Sequence, residues 1–276
     1  FSRKWSQPLE KIDQDIEAIE HQTTAKKKVF VPKQPAEIHH LAQSFNKLLE
    51  YQDKAIQREQ QFVTDASHEL KTPLAAIRGH INLIKRRGKE HPESVAKSLQ
   101  YIDSESSRME ILVNELLELG RAKKQHQSID PIDLVPIVQK ESEILEREYS
   151  TCSVYISSPT KLFYPIEVKD FRLIIHNLLD NAAKYSQNNA KIKVELQKDN
   201  GYLILRVKDQ GIGIRKENYD KIFDRFYRED QAHSSQIKGT GIGLAIVKDI
   251  VTKYHGKISV SANTPKGAIF EIKLPL

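Results

Sequence analysis

The sequence predicts a multidomain chain of class α plus α+β: two short amphipathic helices, a long helical hairpin, and one mixed domain at the C-terminal end. Three observations carry that prediction. Apolar residues recur at spacings of three and four between residues 8 and 51, they settle into a seven-residue repeat between 53 and 125, and from Ile129 onward helical patterns alternate with β-hairpin signals. A chain of 276 residues, 29% charged and 39% hydrophobic, has the composition of ordered globular domains, and its length accommodates two or three of them.

The first helix carries Leu9, Ile12, Ile16 and Ile19, and the second Ile38, Leu41, Phe45, Leu48 and Leu49, so that each presents one apolar stripe. The connector between them, HQTTAKKKVFVPKQP, holds two prolines and a lysine run and cannot continue a helix. Stripes this short bury too little to form a core alone, so they need partners, most simply a second copy of the chain. The chain opens at Phe1 rather than Met, which reads as a piece of something longer. Its first residues, FSRKW, interleave aromatics with cations as a membrane helix does where it leaves the bilayer on the cytoplasmic side, although a frayed terminus accounts for them equally. No run of about eighteen apolar residues occurs, so this portion is expected to be water-soluble.

From Asp53 the residues Ile56, Val63, Leu70, Ile77 and Ile84 fall in register, joined by Leu74 and Ile81, the signature of a bundle or coiled-coil seam. GKEHP, Gly88 to Pro92, breaks that helix with glycine and proline in the stop and start positions. A second helix follows with Val95, Ile102, Met109 and Leu116 in register, plus Leu99, Leu112 and Leu119. Two helices joined by a short turn make an antiparallel hairpin, and two hairpins make a four-helix bundle, so a homodimer is expected.

After KKQHQS the composition changes. AKIKVELQ and GYLILRVKD flank KDNG, and KISVSA and GAIFEIKL flank a turn built on NTPKG, with helical stretches at Leu134 to Tyr149, Glu167 to Tyr185 and Gly243 to Tyr254. This is one α+β domain of about 150 residues, an ordinary domain size. Its single cysteine, Cys152, excludes an internal disulfide and a cysteine-built metal site, and its alternation with Val154 and Ile156 places it in a strand core. The net charge of +6 comes from scattered cations with no DNA-reading motif, so no nucleic-acid partner is expected.

TDASHELKTP, Thr64 to Pro73, lies on the long helix. His68 stands two residues before the seam residue Leu70, about 200° round the helix, and therefore points to solvent. No histidine or carboxylate at i+3 or i+4 makes it a metal ligand. An exposed neutral imidazole is a nucleophile near neutral pH, and Glu69 is placed to accept the proton from one ring nitrogen as the other attacks. Pro73 removes the hydrogen bond to the carbonyl of Glu69 and should bend the helix there. Judged alone, His68 reads as ordinary surface; a helix-breaking residue inside a sustained heptad raises the odds of a function.

Two glycine-rich stretches occur in the C-terminal domain. VKDQGIGI, Val207 to Ile214, ends a strand in an aspartate followed by glycines, and KGTGIGLAIVKDI, Lys238 to Ile250, runs a glycine loop into a helix. Glycines let backbone amides approach a phosphate, and a helix N-terminus favours negative charge. Neither stretch is a Rossmann or P-loop fingerprint. A third stretch of the same domain, HNLLDNAAKYS, sets Asn177, Asn181, Lys184 and Tyr185 at helical spacings of four, three and one. Two amides and a lysine on one helix flank suit a hydrated magnesium ion and triphosphate oxygens, and the acceptor-only carboxylate of Asp209 suits an adenine amine. A polar helix face and turn glycines would explain each part separately, but not their co-occurrence.

With these stretches in hand the chain resembles the cytoplasmic part of a bacterial membrane sensor histidine kinase. SHELKTP resembles the phosphoacceptor motif, HNLLDNAAKYS the N box, DQGIGI the first glycine box, IFDRFYR the F box and GTGIGL the second glycine box, all in family order. PLEKI and AEIHHLAQSFNKLLE resemble the two helices of a HAMP linker, although the connector lacks the glycine usual after the first helix. The resemblance implies a HAMP linker over 1–52, a dimerisation and histidine phosphotransfer hairpin over 53–125, and a catalytic ATP-binding domain over 126–276. That last domain would be an α/β sandwich of the GHKL ATPase type, a mixed sheet covered by helices.

The resemblance further implies that His68 is the phosphoacceptor, Glu69 its proton acceptor and Thr72 a residue for dephosphorylating the partner. The ATP site would be built from Asn177, Asn181, Lys184, Tyr185, Asp209, Gly211, Gly213, Ile214, Arg228, Gly239, Thr240, Gly241, Ile242, Gly243 and Leu244, with Asn181 holding Mg2+ and YREDQAHSSQIK, Tyr227 to Lys238, forming a mobile lid. Implied partners are a second copy of the chain and a response-regulator receiver domain, and the full-length protein would sit in the cell membrane with this portion on the cytoplasmic side. Two other classes stand beside this one. A non-kinase ATPase of the same superfamily has no use for SHELKTP on a dimeric hairpin, and a kinase-dead scaffold would not need Asn181, Asp209 and both glycine boxes.

Overall fold

The computed structural model describes residues 3–20, 28–87, 91–121, 129–186, 190–229 and 239–276. The chain divides into two compact units, Phe1–Glu69 and Leu70–Leu276.

In the first unit, α1 spans Arg3–Glu20. It starts before the expected apolar stripe and continues through Pro8, which forfeits one intrahelical hydrogen bond without ending the helix. The second helix, α2, spans Ala36–Arg87 without interruption, so the helix expected to start at 53 is the continuation of the one before it, and it passes through Pro73. Ile12 of α1, Ile38 and Ala42 of α2, and Val29 of the connector form a small buried core, with Ile16, Ile19, Val31, Phe45 and Leu49 packed around it. The connector thus supplies a core residue of its own. The backbone of Val29 is held from both sides by Asn46, whose Oδ1 accepts from the amide at 2.8 Å and whose Nδ2 donates to the carbonyl at 2.9 Å. Leu9, Leu41 and Leu48 of the predicted stripes remain exposed.

In the second unit, α3 spans Pro92–Arg121. The GKEHP turn falls largely on 88–90, outside the described residues, as does KKQHQS. His80 stacks on Tyr101 with ring centroids 4.9 Å apart and reaches the buried Ser98 hydroxyl at 3.3 Å, joining the two helices of the hairpin. Leu112 is buried, whereas Leu74, Ile81, Leu99 and Leu117 are exposed on a single chain.

The rest of this unit is a five-stranded mixed sheet under three helices, α4 (Val135–Glu148), α5 (Val168–Tyr185) and α6 (Gly243–Lys253). Two short strands, β1 (Ile132–Asp133) and β3 (Phe163–Tyr164), pair separately. The sheet comprises β2 (Ser153–Ser157), β4 (Lys191–Asp199), β5 (Tyr202–Lys208), β6 (Lys257–Ala262) and β7 (Ala268–Pro275) in the order β2-β4-β5-β7-β6. Of these pairings β2–β4 is parallel and the other three are antiparallel. Alternation decides the faces: Ile192, Val194 and Leu196 of β4 turn to the helices with Leu203, Leu205, Phe270 and Ile272, while Arg206 and Glu271, directly opposite on β5 and β7, form an ion pair at 2.5 Å. The start of α5 is tied to the end of α6 through buried Asp170, which accepts from Lys253 Nζ at 2.7 Å and Tyr254 Oη at 2.9 Å. No described helix is long and apolar enough to cross a membrane.

Candidate functional site

The end of β5, the second half of α5, the loop before α6 and the β6–β7 turn enclose a cavity of ≈ 660 Å³. That is within the range typical of small-molecule sites. Thirteen of the fifteen residues expected at an ATP site line it: Asn177, Asn181, Lys184 and Tyr185 from α5, Asp209, Gly213 and Ile214 after β5, Arg228, and Gly239, Thr240, Gly241, Gly243 and Leu244 around the start of α6. Gly211 and Ile242 do not. Gly211 is buried with its amide donating to Asp209 at 2.8 Å, and Ile242 is fully buried as the residue preceding α6.

Asp209 is buried where β5 ends, and burial pushes its carboxyl up while the amides of Gly211 and Ala268 oppose the shift. Both amides donate to Oδ1, at 2.8 and 3.1 Å, so Oδ2 is not engaged by them. The Asp209 carbonyl accepts from Asn263 Nδ2 at 2.6 Å, which fixes the residue from the β6–β7 turn. The result is an oriented acceptor on a cavity wall that also carries Ile222, Ala262 and Phe270.

Along α5 the polar flank is braced from behind. Lys184 Nζ donates to Asp180 Oδ2 at 2.6 Å, and Tyr149 Oη donates to Asp180 Oδ1 at 2.9 Å. Asp180 itself lines the cavity. Burial, and then the Asp180 charge and hydrogen bond, push the Tyr149 hydroxyl well above its ordinary range, so it stays a donor. Asn177 Nδ2 is committed to the Leu173 carbonyl at 2.9 Å, which leaves its side-chain oxygen as the acceptor.

Opposite lies the loop leading into α6. Arg228 Nη1 donates to the Gly239 carbonyl at 2.9 Å, and Glu229 Oε1 takes hydrogen bonds from the Arg215 amide and Nε and from Asn218 Nδ2, between 2.8 and 3.0 Å. Burial raises the Glu229 carboxyl, but these donors outweigh it and hold it below the usual range. Most of the expected lid, residues 230–238, lies outside the described residues. Two amide side chains facing one cavity are hard oxygen donors of the kind magnesium takes, and they would need ligand oxygens to complete its shell. Among the described residues no cluster of three His, Cys, Asp or Glu side chains could hold a metal by itself.

His68 and Thr72 are exposed on α2, Glu69 is half-buried, and Pro73 is buried. Several cavity residues had been assigned no role in the site: Glu115, Asp180, Arg215, Glu229, Asn263 and Lys266. Asp180 had a usable signal, an acid four residues before Lys184 on one helix. Glu115 had none, since it sits on a helix of the hairpin, beside the repeat residue Leu116.

Residues 58–125 match the family model of the His Kinase A (phospho-acceptor) domain, and residues 167–276 that of the histidine kinase-, DNA gyrase B-, and HSP90-like ATPase. The signal transduction histidine-protein kinase ArlS of Staphylococcus aureus (strain USA300) is 37% identical over 243 residues, which cover 86% of this chain and 53% of that protein. The chain therefore spans about half the length of the curated relatives it matches. Among solved structures, histidine kinase ThkA in complex with response regulator protein TrrA superposes with a TM-score of 0.64 at 23% identity, over 82% of this chain and 66% of that one. ShkA full-length in complex with AMPPNP gives 0.54 at 20% identity, over 78% and 45%. These two likenesses establish a shared fold.

Proposed function

We propose, from the premise that this chain belongs to the sensor histidine kinases, that it moves the γ-phosphoryl group of ATP to His68 and from there to an aspartate of a response-regulator receiver domain. The observation that supports this reading best is the convergence, in one cavity, of a buried single-acceptor carboxylate, a braced lysine and amide flank, and a loop feeding a helix N-terminus. Oδ2 of Asp209 would take the adenine amine; Lys184, Tyr185, Arg228 and the Thr240–Leu244 segment would hold the phosphates. Asn181, with the Asn177 oxygen beside it, would hold Mg2+, which when bound offsets phosphate charge.

In the transfer, one ring nitrogen of His68 forms the bond to the γ-phosphorus while the bond to the β–γ bridging oxygen breaks and ADP leaves with the electron pair. Glu69 takes the proton from the other ring nitrogen. Residues 53–125 would form the phosphotransfer hairpin of a homodimer, residues 126–276 the catalytic domain, and residues 1–52 a HAMP-type relay from a membrane segment, with this portion on the cytoplasmic side. Thr72, one helical turn after His68, would orient water toward a receiver's aspartyl phosphate.

Incubation with magnesium and γ-labelled ATP tests the reading. Acid-labile phosphate should appear on the protein and vanish in His68→Ala, whose ATP binding should persist because the exposed side chain makes no contribution to the cavity. Wild-type labelling of His68→Ala would end the proposal. In the same assay with a phosphorylated receiver, Thr72→Val should keep His68 labelling and slow dephosphorylation by about tenfold, or about 1.4 kcal/mol. Undiminished phosphatase activity would reduce Thr72 to a β-branched residue preceding a proline.

A further inference from the structure

The hairpin helix α3 reaches the nucleotide cavity. Glu115 lines it alongside Asp180, Lys184 and Thr240, and its Oε2 accepts a hydrogen bond from the Thr240 hydroxyl. The same hydroxyl oxygen accepts the amide of Ile242, the residue before α6, at 3.4 Å. Burial holds the Glu115 carboxyl above its ordinary range, although the Thr240 hydrogen bond and the Lys184 charge oppose the shift. By this contact an acidic side chain from outside the catalytic domain rests on the loop that leads into α6, among the groups assigned above to the phosphates. An anion is what such a loop and a neighbouring lysine attract.

Glu115 enters from a separate element, and its contact there is Thr240, one of the groups assigned to the phosphates. The part of a nucleotide it can meet is thus the phosphate end. We infer that Glu115 stands in for the terminal phosphate of a nucleoside triphosphate, competing with it for Thr240 and Lys184, so that the triphosphate displaces α3 from the loop and the diphosphate does not. This deepens the nucleotide reading and rests on it. The carboxylate and the γ-phosphate repel and seek the same donors, whereas ADP has no group to contest them. Glu115 thereby discriminates ATP from ADP, and it couples the identity of the bound nucleotide to α3, the helix that packs on α2 through the His80–Tyr101 stack.

The test is calorimetric titration of the whole chain, with magnesium, against AMPPNP and against ADP. Glu115→Gln keeps the side chain's size and removes its charge; it should tighten AMPPNP by about five- to tenfold and leave ADP within about twofold. Hydrogen–deuterium exchange gives an independent readout: in the unaltered protein, AMPPNP should speed exchange of α3 around residues 110–117 relative to ADP, and in Glu115→Gln that difference should disappear. Unchanged or weakened AMPPNP binding, or equal tightening of both nucleotides, would overturn the inference and leave the ATP site standing. If the unaltered protein bound neither nucleotide, the ATP site itself would be wrong and this inference would fall with it.

Discussion

The carboxylate of Asp209 keeps its orientation because its own backbone is clamped. Its amide donates to the Ala268 carbonyl at 3.0 Å, and its carbonyl takes the Asn263 side chain. Gly267 presses against the same peptide: it sits at φ +116°, and a Cβ there would stand 2.1 Å from the Asp209 carbonyl oxygen. Gly267→Ala must therefore move backbone, because no flexible side chain is available to yield. We expect it to lower nucleotide affinity by at least tenfold, about 1.4 kcal/mol, as titrated with ADP. Gly201, also at positive φ but with nothing within 4 Å of a Cβ, supplies the control. Gly201→Ala should lose about 1 kcal/mol of stability from the backbone alone and bind nucleotide normally. Equal nucleotide affinity in the two variants would mean that the Asp209 clamp does not set the site.

The α1–connector–α2 unit shows how one side chain substitutes for a strand. Val29 is buried outside any helix or strand, and Asn46 satisfies both its amide and its carbonyl. Removing that side-chain amide leaves two backbone groups without their partner at the edge of a small core. Asn46→Ala should destabilise this unit by about 1–3 kcal/mol, seen as faster hydrogen exchange over residues 28–50 with exchange in α5 and the sheet unchanged. Identical exchange over 28–50 would show that Asn46 is dispensable. The same unit explains why the apolar stripes misled in part. Ile12 and Ile38 are inside, whereas Leu41 and Leu48 of the same helical pattern face out, because Val29 and Val31 of the connector pack on the side that carries Ile12, Ile38 and Ala42.

At the scale of the whole molecule, Leu74, Ile81, Leu99 and Leu117 lie on the two hairpin helices with 56%, 38%, 54% and 53% of their surface exposed. Apolar side chains left open on one chain along both hairpin helices are what a second hairpin would cover. Ile81→Glu combined with Leu99→Glu should shift the protein from dimer to monomer in sedimentation at micromolar concentration, because two buried charges without partners oppose association. ADP binding should persist, since neither residue lines the cavity. An unaltered protein that sediments as a monomer, or a double variant that remains dimeric, would rule out this seam.

What the sequence determined by itself was local in origin. Heptads marked the hairpin, alternation marked β4 to β7, glycine and proline marked the breaks, and the spacing of Asn177, Asn181 and Lys184 marked one helix flank, since each is a repeat or an offset within a single element. The tertiary structure alone decided that β2 adds in parallel at the sheet edge, that Val29 closes the small core, that Asn263 and Gly267 grip Asp209, and that Glu115 arrives in the nucleotide cavity from another element. Periodicity states which side of an element is apolar. It does not state which distant residue will meet a given side chain, because that follows from strand register and helix packing, where the partners are brought together by the burial of everything around them.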